Sequence, residues 1–97
     1  MKFDAITINV GTAGTRVQVS NTTQKGRYIK FSAKTGNSGI TYVGISDVAA
    51  ANGYELSAND SLEFDFGKYG GSEVLNVFYV EAASNNDKVD VAMILDG

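Results

Sequence analysis

Acidic side chains on a single strand face are the residues of this sequence with the clearest catalytic potential. Glu63 and Asp65 lie two positions apart, so they share one face of a β-strand, and Glu81 lies in a later segment that can form a neighbouring strand. Two carboxyl groups about 5–10 Å apart can hydrolyse a glycosidic bond. A chain of this length leaves little room for a deep cleft, and exposed strand alternation also explains these acids. We therefore predict that the protein is not an enzyme and has no catalytic residues.

A second polar group supplies the oxygen ligands that calcium prefers. Asn85, Asn86, Asp87 and Asp90 follow one another closely near the end of the chain. Their spacing is not that of an EF-hand loop, and the terminal Glu of such a loop is missing. A solvated hairpin turn is the simpler interpretation. We predict no metal site and no cofactor.

Two short segments match parts of phosphate-binding or kinase motifs, but the rest of each motif is missing. Asp65-Phe66-Gly67 spells a protein-kinase tripeptide, but a kinase needs a far longer chain with several further motifs. The segment GTAGT at residues 11–15 is not followed by Gly-Lys-Ser/Thr, as a phosphate-binding loop requires. Both segments are interpreted as glycine turns.

Five tyrosines offer flat rings that can stack on sugars or pack against protein, namely Tyr28, Tyr42, Tyr54, Tyr69 and Tyr79. Tyrosine is also a common strand and interface residue, and the absence of Trp weakens the carbohydrate interpretation. Tyr69, in the glycine-rich segment GKYGG, is the best candidate for presentation to a partner. The pattern favours contact with protein over contact with glycan.

The composition narrows the functional classes further. The 97 residues contain no His and no Cys, which excludes His-based acid–base catalysis, Cys nucleophiles, His-ligated zinc and disulfide bonds. A net charge of −3 with scattered basic residues argues against nucleic acid as a partner. No apolar run is long enough for a membrane helix. We expect no secretory signal in MKFDAITINV, because its apolar and polar residues alternate. We expect a single domain over residues 1–97, stabilised by apolar packing and by subunit contacts.

Alternation of apolar and polar residues recurs along the chain and is typical of strands with one buried face. Three examples are Ile6/Ile8/Val10, Leu62/Phe64/Phe66 and Val89/Val91/Met93, and turns rich in Gly and Asn separate such segments. TYVGI and EVLNVFYVEA are apolar on both faces, which indicates central strands or strands covered by another subunit. These patterns predict an all-β fold, a small antiparallel β-sandwich or jelly-roll-like barrel of about seven or eight strands.

The segment YVGISDVAAANGYELSANDSLEFDF, residues 42–66, interrupts this regular pattern. Its small, Ala-rich centre predicts one short helical turn near residues 46–52, ended by Asn52-Gly53 in the left-handed conformation. We expect this connection to cross between the two sheets with Val48 tucked beneath it.

The same segment, followed by VFYVEAASNNDKVDVAMIL, resembles a group of small virion proteins of tailed bacteriophages. The residues that carry the resemblance are Tyr42-Val43-Gly44, Ser46-Asp47-Val48, Asn52-Gly53, Leu56, Ser61, Phe64, Phe78-Tyr79-Val80, Ala82-Ala83 and Lys88-Val89. The resemblance covers residues 15 to 95, and it departs at the turn SAND, where the group has a Pro-Gly turn. These positions are turns and core residues, so they describe the fold more than an activity.

The resemblance implies a non-enzymatic capsid decoration (cement) protein that stabilises the head through oligomeric contacts on the outer capsid surface. The expected partners are the major capsid protein and further copies of the chain, with a homotrimer favoured. The expected location is the virion, after synthesis in the host cytoplasm. Candidate interface residues are Phe3, Tyr69, Val77 and Tyr79, with Val77 to Val80 expected in one strand. The alternatives are a tail or fibre module, including a receptor-binding one, and a surface carbohydrate-binding module.

Overall fold

Two antiparallel β-sheets pack face to face in the computed structural model, which describes residues 2–20 and 24–95, apart from the side chain of Tyr69. The described strands are β1 (Lys2–Val10), β2 (Val17–Gln18), β3 (Lys25–Ala33), β4 (Thr41–Gly44), β5 (Tyr54–Leu56), β6 (Ser61–Asp65), β7 (Glu73–Val74), β8 (Tyr79–Ala82) and β9 (Asp87–Leu95). Two short 3₁₀ turns occupy Gly67–Tyr69 and Leu75–Val77. The predicted small β-sandwich is confirmed, and seven of these strands have three or more residues.

The order of the strands decides which strands lie at the edges of the sandwich. The first sheet runs β1-β9-β3-β6, with β7 pairing beside the start of β3, and the second sheet runs β2-β8-β4-β5. The nine-residue strands β3 and β9 therefore lie inside the first sheet, and β4 and β8 lie inside the second. β4 and β8 come from the segments that are apolar on both faces, so the expectation of central strands is confirmed for them.

Strand alternation places the apolar side chains between the sheets. On β3, Ile29 and Phe31 are fully buried, whereas Tyr28, Lys30 and Ser32 lie on the outer face. Phe31 makes edge-type ring contacts with Phe78 (centroids 5.7 Å apart) and with Phe64 (6.4 Å). Such aromatic pairs contribute about 0.5–1.5 kcal/mol beyond the burial of their area.

The stretch from Glu73 to Ala82 is not the continuous strand that the sequence predicts. β7 gives way to the 3₁₀ turn Leu75–Val77, in which the Phe78 N–H donates to the Leu75 carbonyl (3.4 Å), before β8 begins. Leu75 and Phe78 are three positions apart and both buried. A strand would point side chains at that spacing to opposite faces, so the turn is what allows both to enter the core.

The long connection after β4 is a within-sheet connection, so our expectation that it crosses between sheets is wrong. β4 and β5 pair with each other, Thr41 opposite Leu56 and Val43 opposite Tyr54. The connection folds over the outer face of the second sheet, where the Val48 side chain lies against Gly44. Val48 is 1% exposed and lies outside the inter-sheet core, so it forms the centre of a small separate contact.

The predicted helical turn near residues 46–52 is not a helix in the structure: the connection contains a hydrogen-bonded turn in which the Asn52 and Gly53 N–H groups donate to the Ala49 carbonyl (3.1 and 2.8 Å). The Asn52 side chain holds it, because its Oδ1 accepts from the Ala49 N–H (2.7 Å) and its amide donates to the Asp47 carbonyl (3.1 Å). The predicted left-handed stop at Gly53 is wrong, since the described glycines with positive φ are Gly14 and Gly70.

Close approach explains the glycine at position 53. A Cβ built there would lie 2.6 Å from the Tyr42 Cβ and 3.0 Å from the Ala49 carbonyl oxygen. We expect Gly53→Ala to lower the free energy of unfolding by about 1–3 kcal/mol, because neither neighbour can move without shifting backbone. Urea unfolding followed by circular dichroism measures this change.

Gly36→Ala is the matched control. No atom lies within 4 Å of a Cβ at position 36, and its φ is not left-handed. Its stability should stay level or rise by about 0.4–1 kcal/mol, because alanine restricts the unfolded chain. Equal losses in the two variants would contradict the assignment of close packing at Gly53.

Candidate interaction surfaces

The three carboxylates that suggested a catalytic pair do not converge. Glu63 and Asp65 lie on the outer face of the first sheet, opposite Lys30 and Tyr28 on β3. Glu81 pairs with Tyr42 on the outer face of the second sheet. The full thickness of the sandwich therefore separates Glu81 from the other two carboxylates.

Glu63 has a different role, as the acceptor of a hydrogen bond from the Tyr28 hydroxyl. This bond raises the pKa of Tyr28 above its usual value of 10.0, and burial and then the negative charges of Glu63 and Asp65 add to the shift. The Tyr28 hydroxyl therefore keeps its proton in a region of negative potential along β6.

The polar residues that suggested calcium ligands instead accept hydrogen bonds from the backbone of neighbouring loops. Asp87 is buried, and its two carboxylate oxygens accept from the backbone N–H groups of Ser38 (2.8 Å) and Gly39 (2.9 Å). Asn85 Oδ1 accepts from the Ala13 N–H (2.7 Å). Among residues 2–20 and 24–95, no three His, Cys, Asp or Glu side chains form a group that could hold a metal ion. The predicted solvated hairpin turn is wrong, because β8 and β9 belong to different sheets: residues 83–86 connect the two sheets, and Asp87 is buried.

Asp90 anchors a polar network on the outer face of the first sheet. Its Oδ1 accepts from the Thr7 hydroxyl (2.6 Å), and its Oδ2 lies 3.0 Å from the Lys34 Nζ. The Thr7 hydrogen bond lowers the pKa of Asp90 below its usual value of 3.8, with a further contribution from Lys34 against the opposing effect of burial. The network links β1 and β9 to the end of β3.

The tyrosines lie on separate surfaces and do not form one stacking platform. Tyr28 lies on the outer face of the first sheet, and Tyr42 and Tyr79 lie on the outer face of the second. Tyr42 is buried beneath the β4–β5 connection. Tyr54, at 57% exposure, lines an apolar opening described below. The side chain of Tyr69 lies outside the described part of the chain.

The structure brings two of the candidate interface residues together. Val77 and Tyr79 are half-buried and line a shallow depression of about 510 Å³ with Ile45, Glu73 and Asn76. Ile45 is exposed and gives this depression an apolar side.

Phe3 lies apart from this depression, on the edge strand β1. It pairs with Ile94 on β9, and 68% of the residue is exposed. Phe3 and Ile94 share the outer face of the first sheet, where they form a small apolar area at one end of β1.

A further apolar surface was missed by sequence reasoning. A cleft of about 410 Å³ opens between the edge strands β5 and β6, and it is lined by Val43, Gly44, Ile45, Tyr54, Leu62, Phe64 and Phe78. The position of Tyr54 on the inner face of its strand could have been predicted, because Tyr54 is two residues from the buried Leu56. The signal for a cleft was absent, since no local pattern shows that β5 and β6 lie on the same side of the sandwich.

Comparison of the sequence with protein-family models and with curated proteins, and of the structure with solved structures, gives no match. The described residues include no helix with the length and apolar character needed to span a membrane.

The Asp90 network makes a pH-dependent prediction for Thr7→Val. Removing the hydroxyl should raise the pKa of Asp90 towards its usual value, which a carbon-detected NMR titration of the carboxyl group measures. Because the folded-state pKa of Asp90 is lowered, the stabilisation is present above pH 3.8 and is lost as the pH falls through the folded-state pKa. The stability difference between the wild type and Thr7→Val should therefore shrink over that acid range.

Thr35→Val provides the control, because the Thr35 hydroxyl donates to the uncharged Asn59 side chain (2.6 Å). Any loss of stability in this variant should not follow the titration of Asp90. An Asp90 pKa that is the same in Thr7→Val and the wild type would refute the assigned cause.

Proposed function

We propose that this protein is a non-enzymatic structural component of a tailed-bacteriophage particle, a decoration protein that binds the outer capsid surface as an oligomer. The resemblance of residues 15 to 95 to small phage virion proteins supports the class of particle. The structural support is a surface suited to strand addition. Both lines of support point to a protein that acts through contacts with neighbouring proteins.

The observation that carries the proposal is the outer edge of β1. β9 covers one side of this nine-residue strand without a register shift, and no strand of the described residues covers the other side. The strand has no proline, and Phe3 is exposed beside the edge. A long regular edge presents backbone N–H and C=O groups that can pair with a strand of another chain.

Oligomerisation makes such an edge effective on a capsid. One strand addition gives limited affinity, but a symmetric oligomer bound at several capsid positions converts later contacts into intramolecular ones. The depression at Val77 and Tyr79 is the proposed contact between copies, and β1 is the proposed contact with the major capsid protein. A homotrimer fits the threefold junctions of a capsid lattice.

Imaging of phage particles made with and without this chain tests the location. We expect electron cryo-microscopy to show additional density on the outer surface of the head only when the chain is present. Immunogold labelling should mark heads. Labelled tails would favour the tail or fibre alternative instead, and unlabelled particles would reject a virion role.

Val77→Asp tests the contact between copies. A second carboxylate beside Glu73 should dissociate the oligomer, because it adds like-charge repulsion to the cost of burying an unpaired carboxylate in the interface. Light scattering should then give the mass of a monomer for the variant and of a trimer for the wild type. Circular dichroism checks that the variant folds, since Val77 also touches the core.

Thr12→Asp, at an exposed turn residue, adds the same charge elsewhere and should leave the trimer intact. A folded Val77→Asp variant that stays trimeric would contradict the assigned interface.

A further inference from the structure

We propose that the cleft between β5 and β6 is a docking site for an extended segment of a partner protein that carries a bulky apolar side chain between lysines or arginines. The cleft is a different surface from β1, and the inference does not depend on a capsid location. It adjoins the depression at Val77 and Tyr79, with which it shares Ile45. Three features of the described residues carry it: the apolar lining, the strand edges beside it, and the charge around it.

The lining of the cleft is apolar and open to solvent. Ile45 and Tyr54 are each 57% exposed at its rim, and Leu62 and Phe64 are half-buried along its wall. Phe78 lies in the floor. The lining side chains carry one polar atom, the Tyr54 hydroxyl. Sites for small molecules add convergent polar groups that fix orientation, so this surface is better suited to an apolar side chain of a protein.

Strand edges lie on both sides of the cleft. β6 is the last strand of the first sheet and β5 is the last strand of the second. Alternate residues of an edge strand direct their backbone N–H and C=O groups away from the sheet. An extended segment pairing with β6 places every second side chain towards the inter-sheet side, where the cleft lies.

The charge around the cleft selects the partner. Residues 35–67 contain five acids, Asp47, Glu55, Asp60, Glu63 and Asp65, and no Lys or Arg. The rest of the chain carries eight bases and six acids, so the excess negative charge of the sequence lies within residues 35–67, which include β4, β5 and β6. Glu55, Glu63 and Asp65 are exposed and alternate with the lining residues, so their carboxylates lie on the outer faces of β5 and β6. The charged side chains of a segment paired with β6 would lie on that same outer face, on the side of Glu63 away from Lys30 of β3.

This charge argues for a foreign segment and against a second copy of the chain. The longest edge strand that a second copy offers is β1, and its charged residues are Lys2 and Asp4, one of each sign. The other edge of the first sheet, β6, carries Glu63 and Asp65, which would repel the same acids of another copy. A strand without net charge gains no attraction from the acidic rim. Complementary charge instead speeds and orients the encounter with a basic segment.

Binding of a synthetic peptide tests the proposal. The probe peptide alternates lysine with isoleucine, phenylalanine and valine (KIKFKVK). In the matched control peptide every lysine is replaced by glutamate (EIEFEVE). We expect the basic peptide to bind, with affinity falling at high salt, and the acidic peptide to show no binding. Amide NMR signals of residues 61–65 and of Ile45 and Tyr54 should shift on binding.

Two kinds of variant separate the contributions. Tyr54→Ser should weaken binding at least about fivefold, because it removes apolar area from the rim of the cleft. Glu55→Gln combined with Glu63→Gln should weaken binding and reduce its salt dependence. Phe3→Ser, which removes an exposed aromatic ring from the opposite edge of the first sheet, should bind the peptide as the wild type does.

Several outcomes would overturn the proposal. They are equal binding of the acidic and basic peptides, loss of binding in Phe3→Ser, and shifts confined to residues outside the cleft. A wild-type oligomer that dissociates in folded Tyr54→Ser would show that the cleft is occupied by a second copy, which also contradicts it. Each of these results can be obtained whether or not the protein lies on a capsid.

Discussion

The packing of Phe31 against Phe64 and Phe78 is the contact on which the rest of this structure depends. Phe31 belongs to the inner strand β3, Phe64 to the edge strand β6, and Phe78 to the segment that leads into β8 of the second sheet. The cluster therefore fastens both sheets and an edge strand at one place. A chain of this size without Cys has no covalent link to compensate for a weaker core.

The same cluster explains why an apolar surface remains open. Phe64 stacks on Phe66 and on Phe78 with ring centroids 5.9 Å apart, so β6 keeps its aromatic side chains on the inter-sheet side up to the boundary of the sandwich. β5 is only three residues long and does not extend far enough to cover them. The need to anchor an edge strand with large side chains thus produces a cleft in which part of each anchor is exposed.

Local patterns predicted the strands well but predicted their partners poorly. The alternation of Ile29, Phe31 and Ala33 is enough to identify a half-buried strand, since period two has one structural meaning. The pairing of β4 with β5 was missed because the long connection suggested a change of sheet, and no local pattern reports the partner of a strand. Gly53 was assigned to a left-handed turn because sequence does not show that the Tyr42 Cβ lies against it.

The candidate site residues also divide into those that a local pattern predicts and those that depend on which strands are neighbours. The exposure of Phe3 can be predicted from the sequence, because Phe3 shares a strand face with Thr7 and Asn9 and not with the buried Ile8 and Val10. Ile45 and Tyr54 were not identified, since their exposure follows from the short length of β5 and the position of β6. The acidic charge of residues 35–67 is visible in the sequence, but only the fold shows that Glu63 and Asp65 lie along a free sheet edge.

The difference in charge between the two edges of the first sheet has a consequence for self-association. Pairing of β6 with β6 of another copy would bring Glu63 and Asp65 of both chains together, and like charges on paired strands are destabilising. β1 carries one acid and one base and has no such protection. Contacts that repeat head to tail without closing form filaments, so an exposed neutral edge is safe only where a partner or a closed oligomer covers it. The acidic edge is therefore protected against pairing with its own copy, whereas charge gives the neutral edge no such protection.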